Sequence, residues 1–143
     1  MRISIINGPN LNLLGIREPQ IYGNKGFDEF IPELKQKFAN QEISYFQSNV
    51  EGELINRIQA DGLDKNVMGI VLNAGAYSHT SIAIADAVKG IPAKVVQVHI
   101  SNIYAREKER HTDLLAASAK AVVSGMGLYS YEAAILFLLE SHK

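Results

Sequence analysis

Residues 3–12 read ISIINGPNLN. Ile3 to Ile6 is a short apolar run rich in branched side chains, the pattern of a strand covered on both faces. Asn7-Gly8 ordinarily signals a tight hairpin, but Pro9 and the polar Asn10-Leu11-Asn12 do not continue as a returning partner strand. This strand must therefore find its neighbours further along the chain. Val67 to Leu72, Val95 to Val98 and Ala121 to Val123 carry the same signature, and Ile43 to Gln47 is a weaker fifth member.

Between these runs the period changes to that of a helix. Phe27, Phe30, Ile31, Leu34 and Phe38 make one apolar stripe, with Pro32 expected near the helix start; Leu54, Ile55 and Ile58 make another. Ser48-Asn49-Val50-Glu51 predicts a capping box in which Ser48 and Glu51 satisfy free backbone N–H groups. A third helix is expected over about Thr80 to Lys89, stopped by Gly90 and Pro92, and a fourth over Tyr131 to Leu139. Alternating strand and helix predicts a parallel sheet wrapped on both sides with right-handed crossovers. The expected fold is α/β: a flavodoxin-like, doubly wound, five-stranded parallel sheet in three α/β/α layers. At 143 residues, with no repeat or linker, the chain reads as a single catalytic domain over 1–143.

Composition narrows the function. The formal net charge is −1, so no electrostatic footprint for nucleic acid or an anionic membrane stands out. The chain has no cysteine, which removes disulfides, thiolate catalysis and sulfur-ligated zinc. Met1-Arg2 leads directly into the first strand, too short for a signal-peptide core, and no stretch reads as a membrane span. A cytoplasmic protein is expected. None of the 4 histidines forms an i, i+4 pair with another, so metal is set aside.

In such a sheet, ligands bind beyond the carboxyl ends of the strands. Those ends carry Asn7-Gly8-Pro9-Asn10, Ser48-Asn49, Asn73 to His79, and His99-Ile100-Ser101-Asn102. Any one cluster is explained by turn chemistry, but four on one rim, two with histidine, point to a site. The long connection to Phe27, broken by Gly15, Pro19, Gly23 and Gly26, reads as a mobile flap. Within it Arg17 lies five residues from Tyr22; a guanidinium beside a phenol favours the phenolate and lowers a pKa that is otherwise about 10. His99 shares a strand face with Gln97, the obvious hydrogen-bond partner. The N–H groups of Ile100 and Ser101 suit an anionic oxygen, as in a backbone nest. Asp86, in a helix apolar nearly all round, needs a partner. Arg106 and Arg110 fall one helical turn apart, in a stretch that otherwise reads as a solvated charged helix.

NGPNLNLLGIREPQIYG (7–23), FQSNVEGELINRIQ (46–59), NAGAYSHTSIAIADA (73–87) and VHISNIYAREKERH (98–111) together resemble type II 3-dehydroquinate dehydratase over almost the whole chain. The resemblance implies Tyr22 as the base, Arg17 as the lid arginine steadying the tyrosinate and enolate, and His99 as the general acid. Asn10 corresponds to an asparagine that places the acid histidine and a water. Asn73, His79, Asp86, Ile100, Ser101 and Arg110 correspond to substrate-binding positions, with Asp86 offered across a trimer contact in a dodecamer of four trimers. No metal or organic cofactor is implied. The substrate is 3-dehydroquinate, and the pathway is aromatic biosynthesis through shikimate or quinate breakdown.

Gln97 stands where the family usually has glutamate, so His99 is expected beside a neutral amide that stabilises imidazolium less, with an activity optimum moved toward acid. Ala74 replaces a common proline, Val50 and Tyr104 replace histidines, and Tyr104 is expected at the rim. Two other readings compete: a flavodoxin-like nucleotide or flavin module, which lacks a glycine-rich phosphate cradle here, and a weakened relative kept for assembly, against which Arg17, Tyr22 and His99 argue.

Overall fold

The computed structural model describes residues 1–16, 20 and 24–143. Five strands, β1 (Arg2–Asn7), β2 (Glu42–Gln47), β3 (Val67–Asn73), β4 (Lys94–His99) and β5 (Ala121–Ser124), form one sheet in the order β2-β1-β3-β4-β5. All four pairings are parallel. This is the doubly wound flavodoxin-like order, whose switch point lies between β1 and β3. Asn7 is in register with Gln47 on one side and Asn73 on the other, which brings three polar strand ends to one rim.

Four helices cover the sheet: α1 (Phe27–Lys37), α2 (Glu51–Leu63), α3 (Ile82–Lys89) and α4 (Tyr129–His142). Strand side chains alternate between faces, and the core divides accordingly. Ile3, Ile5, Val71, Val96 and Val98 pack with Phe27, Phe30 and Leu34 of α1 and Tyr131, Ile135 and Leu138 of α4. On the other face Ile6, Ile70, Leu72 and Val95 meet Leu54 and Ile58 of α2 and Ile84 and Val88 of α3. Burial of such side chains, each worth about 1.5–3 kcal/mol, holds the layers together.

Local chemistry corrects several expectations. Pro32 lies in the second turn of α1 rather than at its start; the N–H it lacks would have met the carbonyl of Asp28, and both residues are exposed, so that carbonyl is left to solvent. The capping box also shifts. Val50 is the N-cap of α2, Ser48 Oγ accepts from Val50 N at 2.9 Å, and Glu53, not Glu51, receives the Ser48 hydroxyl at 3.1 Å. α3 starts two residues later than expected, with Ser81 Oγ accepting from Ile84 N at 2.9 Å. Only one side of α3 is covered: Ile84 and Val88 are buried, whereas Asp86 is exposed and Ile82 is 69% exposed, so within one chain Asp86 needs no buried partner. Among the described residues no helix is long and apolar enough to cross a membrane.

Candidate active site

A cleft opens at the carboxyl ends of β1, β3 and β4. Its walls include Asn10, Asn73, His79, His99, Ile100, Ser101 and Arg110, so seven of the side chains and loop positions singled out in the sequence converge there. Asp86 is not among the lining residues. Arg17 and Tyr22 lie outside the described residues.

The end of β2 and the loop after it support the site rather than lining it. Asn49 Oδ1 accepts from Asn10 N at 3.0 Å, and Gln47 Nε2 donates to Gly8 O at 3.1 Å. These bonds hold the first loop while Asn10 adopts a left-handed backbone, φ 68°, a conformation asparagine tolerates better than most residues. The side chain of Asn10 makes no hydrogen bond to His99, so any link between the two runs through a ligand or solvent. Gly8 lets the β1 and β3 loops touch: a Cβ there would lie 2.5 Å from the carbonyl oxygen of Ala74.

The floor is a buried polar chain. Tyr131 Oη donates to Asn7 Oδ1 at 2.8 Å and accepts from Asn73 Nδ2 at 2.9 Å. Asn73 Oδ1 accepts from Gly75 N at 3.1 Å, and Asn7 Nδ2 donates to Tyr45 Oη at 3.3 Å. With its orientation fixed on both sides, Asn73 retains one amide proton for a ligand. Burial pushes the Tyr131 phenol far above its ordinary value, so it stays a neutral link.

His79 Nδ1 lies 2.6 Å from Thr112 O, a carbonyl that only accepts, so Nδ1 carries the proton and Nε2 is left as an acceptor. Its ring stacks on His99 at 6.0 Å between centroids. His99 is 5% exposed. Its Nε2 lies 3.2 Å from Asp113 Oδ2 and 3.0 Å from Gln97 Nε2. The Gln97 amide also donates to Asp113 Oδ1 at 3.0 Å, and that oxygen accepts from Leu115 N at 3.0 Å and Ala116 N at 3.1 Å. Burial opposes ionisation of Asp113, but hydrogen bonds from His99 and Gln97, the charge of His99 and the Leu115 N–H together hold its carboxyl below the usual value.

These contacts correct the reading of Gln97. The expectation of a purely neutral neighbourhood for His99 fails because Asp113 brings a carboxylate to the ring from a different part of the chain, which removes the premise on which the acid-shifted optimum was built. A second correction concerns residues 103–111. They are not one charged helix but two short 3-10 turns, Ile103–Ala105 and Lys108–Arg110, with Arg106 extended between them. Arg106 nevertheless lines the cleft beside Arg110 and donates to Ser101 Oγ at 3.4 Å. Arg110 is braced by Glu107 at 2.6 Å. Tyr104, expected at the rim, is 65% exposed and does not line the cleft; its ring lies beside His111.

The model of the family "Dehydroquinase class II" matches residues 1–139. The chain belongs to the class II dehydroquinase family. A 3-dehydroquinate dehydratase of Clostridium perfringens is 50% identical over 133 residues, spanning 92% of this chain and 90% of the relative. The crystal structure of a type II dehydroquinase from Butyrivibrio crossotus superposes with a TM-score of 0.93 at 42% identity, covering 97% of both chains. That of the Propionibacterium acnes type II dehydroquinase gives 0.91 at 37% identity, covering 97% of this chain and 96% of that one. Within this class II dehydroquinase, Asp113 and Tyr131 are site residues that sequence reasoning missed, and Arg106 is one that it singled out without assigning it to the site. Arg106 was signalled only by its spacing from Arg110. Tyr131 was signalled by a phenol in an apolar helix, and Asp113 by nothing periodic.

Proposed function

We propose that the protein is a type II 3-dehydroquinate dehydratase, removing water from 3-dehydroquinate to give 3-dehydroshikimate by anti elimination through an enolate. The observation that carries this reading is the state of His99. Its Nε2 is engaged by Asp113 and Gln97, which leaves Nδ1 as the ring nitrogen available to the cleft.

In this mechanism Tyr22, as a phenolate favoured by Arg17, takes the proton from C2 of the substrate, and the electron pair passes into the neighbouring ketone as an enolate. The C1–O bond then breaks, the departing hydroxide receives the proton of His99 Nδ1 and leaves as water, and the C1–C2 double bond forms. Transfer of the proton from Tyr22 to His99 restores both groups. Each positioned acid or base is worth typically about 10²–10⁴ in rate. Ile100 and Ser101 would receive the substrate carboxylate on their N–H groups, with Arg106 and Arg110 supplying positive charge. Asn73 and His79 would hold substrate hydroxyls, and Asn10 would place a water near His99. Asp86, exposed in the single chain, would complete a neighbour's site in a trimer, and four trimers would make a dodecamer. The product is an intermediate of the shikimate pathway.

The test is to mix the purified protein with 3-dehydroquinate and follow the ultraviolet absorbance of the conjugated enone. Turnover by the wild type and its loss in Tyr22→Phe are expected. No enone from the wild type would overturn the reading.

A further inference from the structure

We propose that Asp113 is the positioning residue of the acid histidine: its carboxylate fixes the proton on His99 Nε2, aims Nδ1 into the cleft and balances the imidazolium. The proposal rests on the dehydratase reading for its kinetic consequence but not for its structural one.

Asp113 is the acidic side chain within hydrogen-bond reach of His99 among the described residues, and the side chains of both are almost fully buried, 7% and 6% exposed. The other charged or titratable groups around the ring, His79, Arg106 and Arg110, either stack on it or line the same cleft, and none offers negative charge. A cationic imidazole is thus stabilised from the Asp113 side alone within this set. Two side-chain donors, His99 Nε2 and Gln97 Nε2, converge on the carboxylate beside the backbone N–H groups of Leu115 and Ala116. If Nε2 were unprotonated, its lone pair would accept from Gln97 Nε2 at 3.0 Å but would also face Asp113 Oδ2 at 3.2 Å, acceptor against anion. With Nε2 protonated, the ring donates to the carboxylate, a charge-assisted bond of the stronger kind. Gln97 Nε2 then donates one of its two N–H groups to Asp113 Oδ1, and Gln97 Oε1 stays buried without a partner among the described residues. That unmet oxygen is a cost retained next to the reacting centre, of the sort that accompanies a constrained functional site.

Asp113 is also a local scaffold, since Oδ1 caps Leu115 N and Ala116 N. The two roles separate experimentally. Serine at 113 keeps a hydroxyl able to accept from backbone N–H groups two or three residues on, but removes the carboxylate. Gln97 Nε2 lies 3.0 Å from His99 Nε2, so glutamate at 97 places an oxygen against the same ring nitrogen. Returning the carboxylate from β4 rescues the ring and does nothing for the turn at 113–116.

The experiment compares wild type, Asp113→Ser and Gln97→Glu/Asp113→Ser by two readouts. By ¹⁵N NMR of the imidazole, the neutral ring of His99 should carry its proton on Nε2 in the wild type. In Asp113→Ser, Gln97 donates to Nε2 and the proton moves to Nδ1; in the double variant it returns to Nε2. In steady-state kinetics Asp113→Ser should lower kcat by at least about tenfold, a part of the roughly 10²–10⁴ due to a positioned acid, with KM changed less than about threefold. The double variant should recover most of the loss. The same tautomer in all three proteins overturns the proposal whatever the activity. So does a kcat deficit that persists in a folded double variant, which would mark Asp113 as a scaffold only. A wild type with no dehydratase activity but the expected tautomer pattern would refute the functional reading and leave the placement of the proton standing.

Discussion

Tyr131→Phe removes one oxygen from the floor of the cleft and almost nothing else. The ring keeps its edge contacts with Phe27 and Phe30, at 5.3 and 5.8 Å between centroids, so packing is unchanged. Two buried groups lose their partner: Asn7 Oδ1, which received the hydroxyl at 2.8 Å, and Asn73 Nδ2, which donated to it at 2.9 Å. Each orphaned group costs about 1–3 kcal/mol, so together the loss should be roughly 2–6 kcal/mol. Unfolding entropy near the transition, about 2.1 cal/mol/K per residue, comes to about 0.3 kcal/mol/K over 143 residues. The melting midpoint should therefore fall by about 7–20 °C, measured by calorimetry at fixed protein concentration because assembly contributes to stability. Tyr45→Phe is the control: its bond to Asn7 is longer, 3.3 Å, and only partly buried, so the drop should be smaller. Asn73 also loses one of the two bonds that orient it, so KM for 3-dehydroquinate should rise in Tyr131→Phe. A midpoint within about 2 °C of wild type, under roughly 0.6 kcal/mol, would refute the idea that this chain of amides and phenols holds the floor.

Three further outcomes are expected. Gly8→Ala drives a Cβ to 2.5 Å from the Ala74 carbonyl oxygen; separating the β1 and β3 loops should cost about 1–3 kcal/mol and lower kcat, and wild-type activity with an unshifted melt would contradict it. Asp61 is buried and bonded to Arg57 at 2.7 Å, to Arg2 at 3.3 Å and to the Ser4 hydroxyl, outside the cleft. Asp61→Ala should destabilise by about 3–5 kcal/mol in chemical denaturation while kcat stays near wild type; a loss below about 1 kcal/mol would show the network to be incidental. The carboxyl of Asp113 is held below its ordinary value, so its contribution to stability is present above the unfolded value of about 3.9 and is lost as pH falls through the lower folded value. The melting difference between wild type and Asp113→Ser should therefore be full at neutral pH and shrink below about pH 4; a difference constant down to pH 3 would count against the pairing.

The sheet was legible because its central strands β1, β3 and β4 are buried on both faces, so each appears as a compact branched run, while the half-buried edge strands β2 and β5 read more faintly. Parallel strands also force the polar loops onto one rim. This is why Asn10, Asn73, His79, His99 and the 100–101 backbone could be placed together before any coordinates. What escaped lies in contacts that no period records. Asp113 reaches Gln97 from 16 residues away and sits in a loop; Tyr131 meets Asn7 across 124 residues. The spacing of Arg106 and Arg110 imitates a helical face, yet an extended residue between two short turns brings both to the cleft. Reading Gln97 as a lost charge went wrong for the same reason: a substitution on one strand reports on a site only when every element packed against it is known.

The account turns on His99 acting after the carbon–hydrogen bond has been broken by a different group. The most direct measurement is NMR of 3-dehydroquinate incubated with His99→Ala in D₂O, scoring exchange at C2 and dehydration in the same tube. Retained exchange with dehydration slowed by about 10²–10⁴ is expected. Dehydration within about twofold of wild type would contradict the assignment of His99, and loss of exchange together with dehydration would contradict the separation of the two proton transfers.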